Sequence, residues 1–91
     1  MNRIEVFQDA LQAVNSLNIP SSYDNHKSTL IEQLNFLIQF EEGEVSDLGL
    51  LKSVNIGIIA VRIIEDFDLN VANKIYSSSA QWERMKEEKG V

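Results

Sequence analysis

The sequence predicts an all-α fold, an up-and-down four-helix bundle built as one domain over residues 1–91 with its third helix central and buried. Three observations carry this expectation. Apolar residues recur at spacings of three and four along segments long enough for helices, strand-like alternation is nearly missing, and only one proline and four glycines punctuate the chain. With 91 residues and 44% hydrophobic content, the chain sits near the lower end of what buries a core without disulfides or metal.

In MNRIEVFQDALQAV and the residues after it, Ile4, Phe7, Leu11, Val14 and Leu17 fall on one stripe, and Asn2 with Glu5 has capping-box spacing. A first helix is expected from about Arg3 to Leu17. Pro20 ends it, because proline lacks an N–H and pushes Ile19 out of helical geometry. Ser21 or Ser22 is the expected cap of the second helix, and Asp24 suits the positive end of its dipole. Tyr23, Lys27, Leu30, Leu34, Leu37 and Ile38 continue one face to about Glu41, and Glu42-Gly43-Glu44 closes it.

Ser46 is the expected N-cap of a third helix, with Asp47 in its first turn and Glu65 at its end. Leu51, Val54, Ile58 and Val61 form one stripe, and Ile56, Ile59, Ile63 and Phe67 form another. A helix without a clear polar face is expected to be covered on most sides. Gly57 and Ala60 lie nearly one turn apart, where a neighbouring backbone can come close. The glycine costs about 1 kcal/mol of helix propensity relative to alanine, and close packing is the expected compensation. After the turn at Asp66-Phe67-Asp68, Asp68 caps a fourth helix from Leu69 to about Lys86, with Leu69, Ala72, Ile75, Trp82 and Met85 on its stripe. The helix is expected to be continuous, with Ser77-Ser78-Ser79 a weak point at which fraying or bending would start. The short connections make consecutive helices antiparallel neighbours.

The composition narrows the function. There is no cysteine, so disulfides and thiolate metal sites are excluded. The net charge is -6 and the pI about 4.6, which makes nucleic acid and anionic membranes poor partners and basic protein surfaces good ones. The apolar run from Val54 to Ile64 contains Asn55 and Arg62 and falls short of the ~20 residues that cross a bilayer. The N-terminal stretch carries acids and amides where a signal peptide needs an apolar segment, so a cytoplasmic location is expected.

Three features are candidate sites. Glu41, Glu42, Glu44 and Asp47 surround one turn and Glu65, Asp66 and Asp68 another, without calcium-loop spacing; they read as solvated helix ends or as patches for a basic partner. Asp24, His26, Glu32 and Glu41 lack the paired Glu-x-x-His of di-metal bundles, so no metal is expected. Gly43, Gly49, Gly57 and Gly90 are too scattered for a phosphate-cradling loop, so no cofactor is expected either. In the tail, Trp82 reads as the end of a core stripe or as an interface anchor, and Tyr76 and Arg84 are residue types that carry binding energy.

STLIEQLNFLIQF, followed by Leu51 to Val71 with Gly57-Ile58-Ile59-Ala60-Val61-Arg62 and Asp68, resembles the small helical immunity proteins that neutralise a type VI secretion effector, an NAD(P)+ glycohydrolase. The resemblance covers roughly residues 28–76. It implies a cytoplasmic, non-enzymatic antitoxin, monomeric or weakly dimeric when free, that binds a cognate toxin domain and blocks its basic active-site cleft stoichiometrically. The same charge logic suits a nuclease toxin delivered by contact-dependent growth inhibition. A generic helical adaptor or regulatory subunit fits the composition equally, and an enzyme or ligand carrier fits least.

Overall fold

The computed structural model describes residues 1–91, and the chain is helical without strands. Helix α1 is Arg3–Asn15, α2 is Asp24–Glu41, α3 is Leu48–Lys52, α4 occupies 56–67 and α5 is Leu69–Lys89. The all-α bundle expected from the periodicity is therefore what forms. Both α2 and α5 touch α1 and α4, so the four longer helices close into a ring, with short α3 lying against α5. Phe7 and Val14 of α1, Leu30, Leu34 and Leu37 of α2, Ile56 and Ile64 of α4 and Ile75 of α5 fill the centre, all fully buried. Burying side chains of this size stabilises a fold by about 1.5–3 kcal/mol each.

Local chemistry sets most helix ends. Asn2 accepts from Glu5 N–H at 2.8 Å while the Glu5 carboxylate accepts from Asn2 N–H at 3.2 Å, which is the expected capping box. The first helix stops at Asn15, slightly before the expected Leu17, and the Lys27 ammonium then donates to the Leu17 carbonyl at 2.9 Å. Neither Ser21 nor Ser22 caps α2. Both belong to a 3-10 turn, Ser21–Tyr23, that leads into it. Gly43 closes α2 at φ 83°, a left-handed conformation that glycine adopts without a Cβ penalty. Its N–H reaches Phe40 and that of Glu44 reaches Gln39, the paired bonds of a Schellman cap.

The expected third helix departs most from its reading. Asp47, not Ser46, is its cap, accepting from Leu50 N–H at 3.0 Å. The helix then breaks after Lys52 instead of running to Glu65, because Asn55 leaves helical geometry at φ -136° and ψ 27°. Its N–H donates to Gln33 Oε1 at 2.9 Å, and its Oδ1 accepts from Gln33 Nε2 at 2.8 Å. This amide pair replaces the intrahelical bond that the break removes. Helix α4 starts again at Ile56–Ile59, widens into a π turn over Ala60–Ile64 and ends at Glu65–Phe67. Its burial is one-sided: Ile56, Ile59, Ala60 and Ile64 face the core, whereas Ile58, Val61 and Phe67 are exposed. The expectation of a helix covered on most sides is thus corrected.

Helix α5 runs without interruption from its Asp68 cap, whose Oδ1 accepts from Val71 N–H at 3.1 Å, through Ser77–Ser79. The serines are contact points rather than a weakness. Ser78 is buried and donates to the Val6 carbonyl at 3.4 Å, so α1 packs close to α5. Ser79 sits under Gly57, where an added Cβ would lie 2.8 Å from its hydroxyl oxygen. Gly57 is therefore the close seam between α4 and α5. Gly57→Leu is expected to overpack it and cost about 1–3 kcal/mol in chemical denaturation. Gly57→Ala made in a Ser79→Ala background should instead stabilise by up to about 1 kcal/mol, since the clash is gone and helix propensity is gained. Equal stability of Gly57→Leu and the parent would contradict the close approach.

Candidate functional site

The two acidic turns lie at opposite ends of the bundle. Glu41 meets Arg3 at 3.1 Å beside Glu88 near the C-terminus, whereas the 65–68 turn stands next to Tyr23, whose ring meets that of Phe67 edge-on at 5.2 Å. A helix the length of α2, about 27 Å, separates them. They do not form one site.

Several candidates are occupied by structural work. Arg3, with its side chain only 17% exposed, holds Glu88 through two hydrogen bonds of 3.0 and 2.6 Å and Glu41 and Gln81 through one each. This clamp ties the start of α1 to the ends of α2 and α5. The bonds from Arg3 hold the Glu88 carboxyl below its ordinary range, and Glu88 raises the guanidinium further above its already high value. Asp47 and Asp68 are committed as caps. Glu65 accepts from the Tyr76 hydroxyl and bridges the end of α4 to α5. Trp82 is half-buried against the core, its indole N–H donating to the Leu51 carbonyl at 2.6 Å with Lys86 Nζ 3.8 Å from the ring centroid. Glu42, Glu44, Asp66 and Arg84 stand exposed.

His26 is exposed, its ring 6.3 Å from that of Tyr23. No three histidine or carboxylate side chains converge as metal ligands, and no helix is long and apolar enough to cross a membrane.

A different surface stands out once the fold is known. Leu48 and Leu50 on α3 and Ile58 and Val61 on α4 are exposed aliphatics on either side of the Ser53-Val54-Asn55 break. Grooves run from this break between α2 and α3 past Phe36, between α2 and α4 past Ile63, and between α4 and α5 past Trp82. The surplus of apolar residues in this stretch was the signal for it. Periodicity assigned that surplus to extra burial, and the structure assigns part of it to solvent. Comparison with protein families, with curated proteins and with solved structures finds no match.

Two measurements check these assignments. Trp82→Ala is expected to lower stability by about 2–3 kcal/mol, short of the ~3–5 kcal/mol of a fully buried tryptophan, through lost packing and the lost bond to Leu51. An unchanged denaturation midpoint would make Trp82 a surface residue free for binding. Tyr76 is pushed up to about 12, first by its hydrogen bond to Glu65 and then by burial. A phenol raised in the folded state contributes stability that is complete below its ordinary value near 10 and is lost as pH rises through about 12. Tyr76→Phe should flatten that alkaline fall relative to the parent; superimposable pH profiles would remove the Tyr76–Glu65 bond from the account.

Proposed function

We propose that this chain is a non-catalytic protein inhibitor, an immunity protein that neutralises a cognate toxin domain in the cytoplasm by covering its active-site cleft. The observation that carries the reading is the placement of charge. The chain is acidic, with a net charge of -6. Glu42 and Glu44 at one end and Asp66 at the other stand in solvent instead of being spent in ion pairs. A cleft built for dinucleotide phosphates is basic, so an acidic cover approaches it with favourable electrostatics and repels nothing it must touch. The resemblance of residues 28–76 to immunity proteins of an NAD(P)+ glycohydrolase supports the same choice of target. Occlusion asks nothing of the inhibitor but a rigid surface, and a small helical bundle supplies one.

Titrating a purified NAD(P)+ glycohydrolase toxin domain, for which the neighbouring reading frames are the first place to search, with NAD+ consumption as the readout, tests this directly. Inhibition is expected to reach completion near one equivalent of this chain. Rescue well below one equivalent would mean that the protein acts catalytically, and an unaffected rate at excess inhibitor would sink the proposal outright.

A further inference from the structure

The break between α3 and α4 gathers three grooves at one place. Val54, Asn55 and Ile58 each border two of them. Around them Leu50 is 56% exposed, Ile58 53% and Val61 55%. One exposed aliphatic is ordinary on any protein surface, but several on adjoining helices make a patch of the kind that binds partners. The patch is also held in place. Gln33 fixes Asn55 from α2 through two hydrogen bonds, and Gly57 seats α4 on Ser79 of α5.

We propose that this elbow face is where the chain docks, and that its occupant is a basic protein that seats an apolar side chain beside Ile58 with lysine or arginine opposite Glu32 and Glu83. The proposal rests on the inhibitor reading and adds the contact surface, with the exposed acids of the two turns steering approach through the overall field rather than making the contact. Charge selects the occupant. Glu32, which has no ion-pair partner, is the charged residue lining the groove between α2 and α3. Glu83 lines the groove between α4 and α5, where Lys86 meets it at 3.4 Å in a surface ion pair that a partner's cation can exchange at little cost. A second copy of this chain would bring -6 against -6, whereas a basic partner gains from the overall field and from the unpaired Glu32. The third groove carries Arg62, so the partner meets a positive corner there and is oriented by it.

The test uses the full chain with the same toxin domain as probe, reading affinity and association rate by surface plasmon resonance. Ile58 and Leu50 are more than half exposed, so Ile58→Asp and Leu50→Asp should keep the parent's melting behaviour, and their placement on two different helices guards against one variant failing to fold. Each is expected to weaken binding by about 30-fold or more, mainly through faster dissociation. Glu32→Lys with Glu83→Lys should slow association by about tenfold and reduce its salt dependence. Tight binding by the parent and by both aspartate variants alike would overturn the elbow face while leaving the inhibitor reading intact. No binding by the parent would overturn both. A homodimer of the parent that Ile58→Asp abolishes would overturn the choice of occupant.

Discussion

The reciprocal amide pair between Gln33 and Asn55 decides the shape of this molecule. Without it, residues 47–67 have the apolar content of one long helix, and nothing between Lys52 and Ile56 other than local preference would stop that helix from continuing. Asparagine satisfies backbone groups outside a helix more readily than most residues, which makes Asn55 a weak link. Gln33, projecting from α2, turns the weakness into a fixed corner by giving the Asn55 N–H and side chain new partners. The corner separates α3 from α4 and rotates the apolar residues after it. Along α4, Ile56, Ile59, Ala60 and Ile64 keep three- and four-residue spacing on the core face and leave Val61 in solvent, and the backbone widens into a π turn over Ala60–Ile64.

Small residues perform the complementary task of letting helices approach. Gly57 against Ser79 and Ser78 against the Val6 carbonyl bring α4 and α1 close to α5, and Ala10, Ala60 and Ala72 are buried completely. Dense packing of this kind suits a chain too short to build a large core. The polar atoms at these seams are satisfied: no side-chain nitrogen or oxygen is buried without a hydrogen bond. At the open end of the ring, Arg3 gathers α1, α2 and α5 through Glu41, Gln81 and Glu88. The ends are thus pinned by ion pairs and caps, the middle by close contacts, and the elbow by an amide pair.

Which of these features was legible depended on how local it was. The Asn2–Glu5 box, the break before Pro20 and the Asp68 cap involve residues three or four positions apart, and all are readable from spacing. The glycine in an apolar helix correctly signalled a close neighbour. Ser46 and Asp47 are adjacent and equally good caps by type, so choosing between them needed geometry. The Gln33–Asn55 pair joins residues 22 positions apart, and no periodicity encodes such a contact. Doubled apolar stripes have two outcomes, burial on both sides or exposure of one, and sequence alone favoured the former for Ile58 and Val61. The candidate site is the part that residue type leaves most open. Glu41, Asp47, Glu65, Asp68, Tyr76 and Trp82 were chosen by residue type, and the fold employs each of them in holding itself together.

The central claim is that an acidic bundle binds through a corner that its own amide pair sets, and mapping contacts on the free and bound chain tests it most directly. Methyl NMR of the isotopically labelled chain, titrated with an NAD(P)+ glycohydrolase toxin domain that it inhibits, reads Leu50, Ile58, Val61 and Leu69 separately in one experiment. The account predicts that Leu50, Ile58 and Val61 shift or broaden together, while Leu69, exposed at the 65–68 end, stays unchanged. Perturbation confined to Leu69 and its neighbours, with the elbow methyls unmoved at saturation, would contradict it.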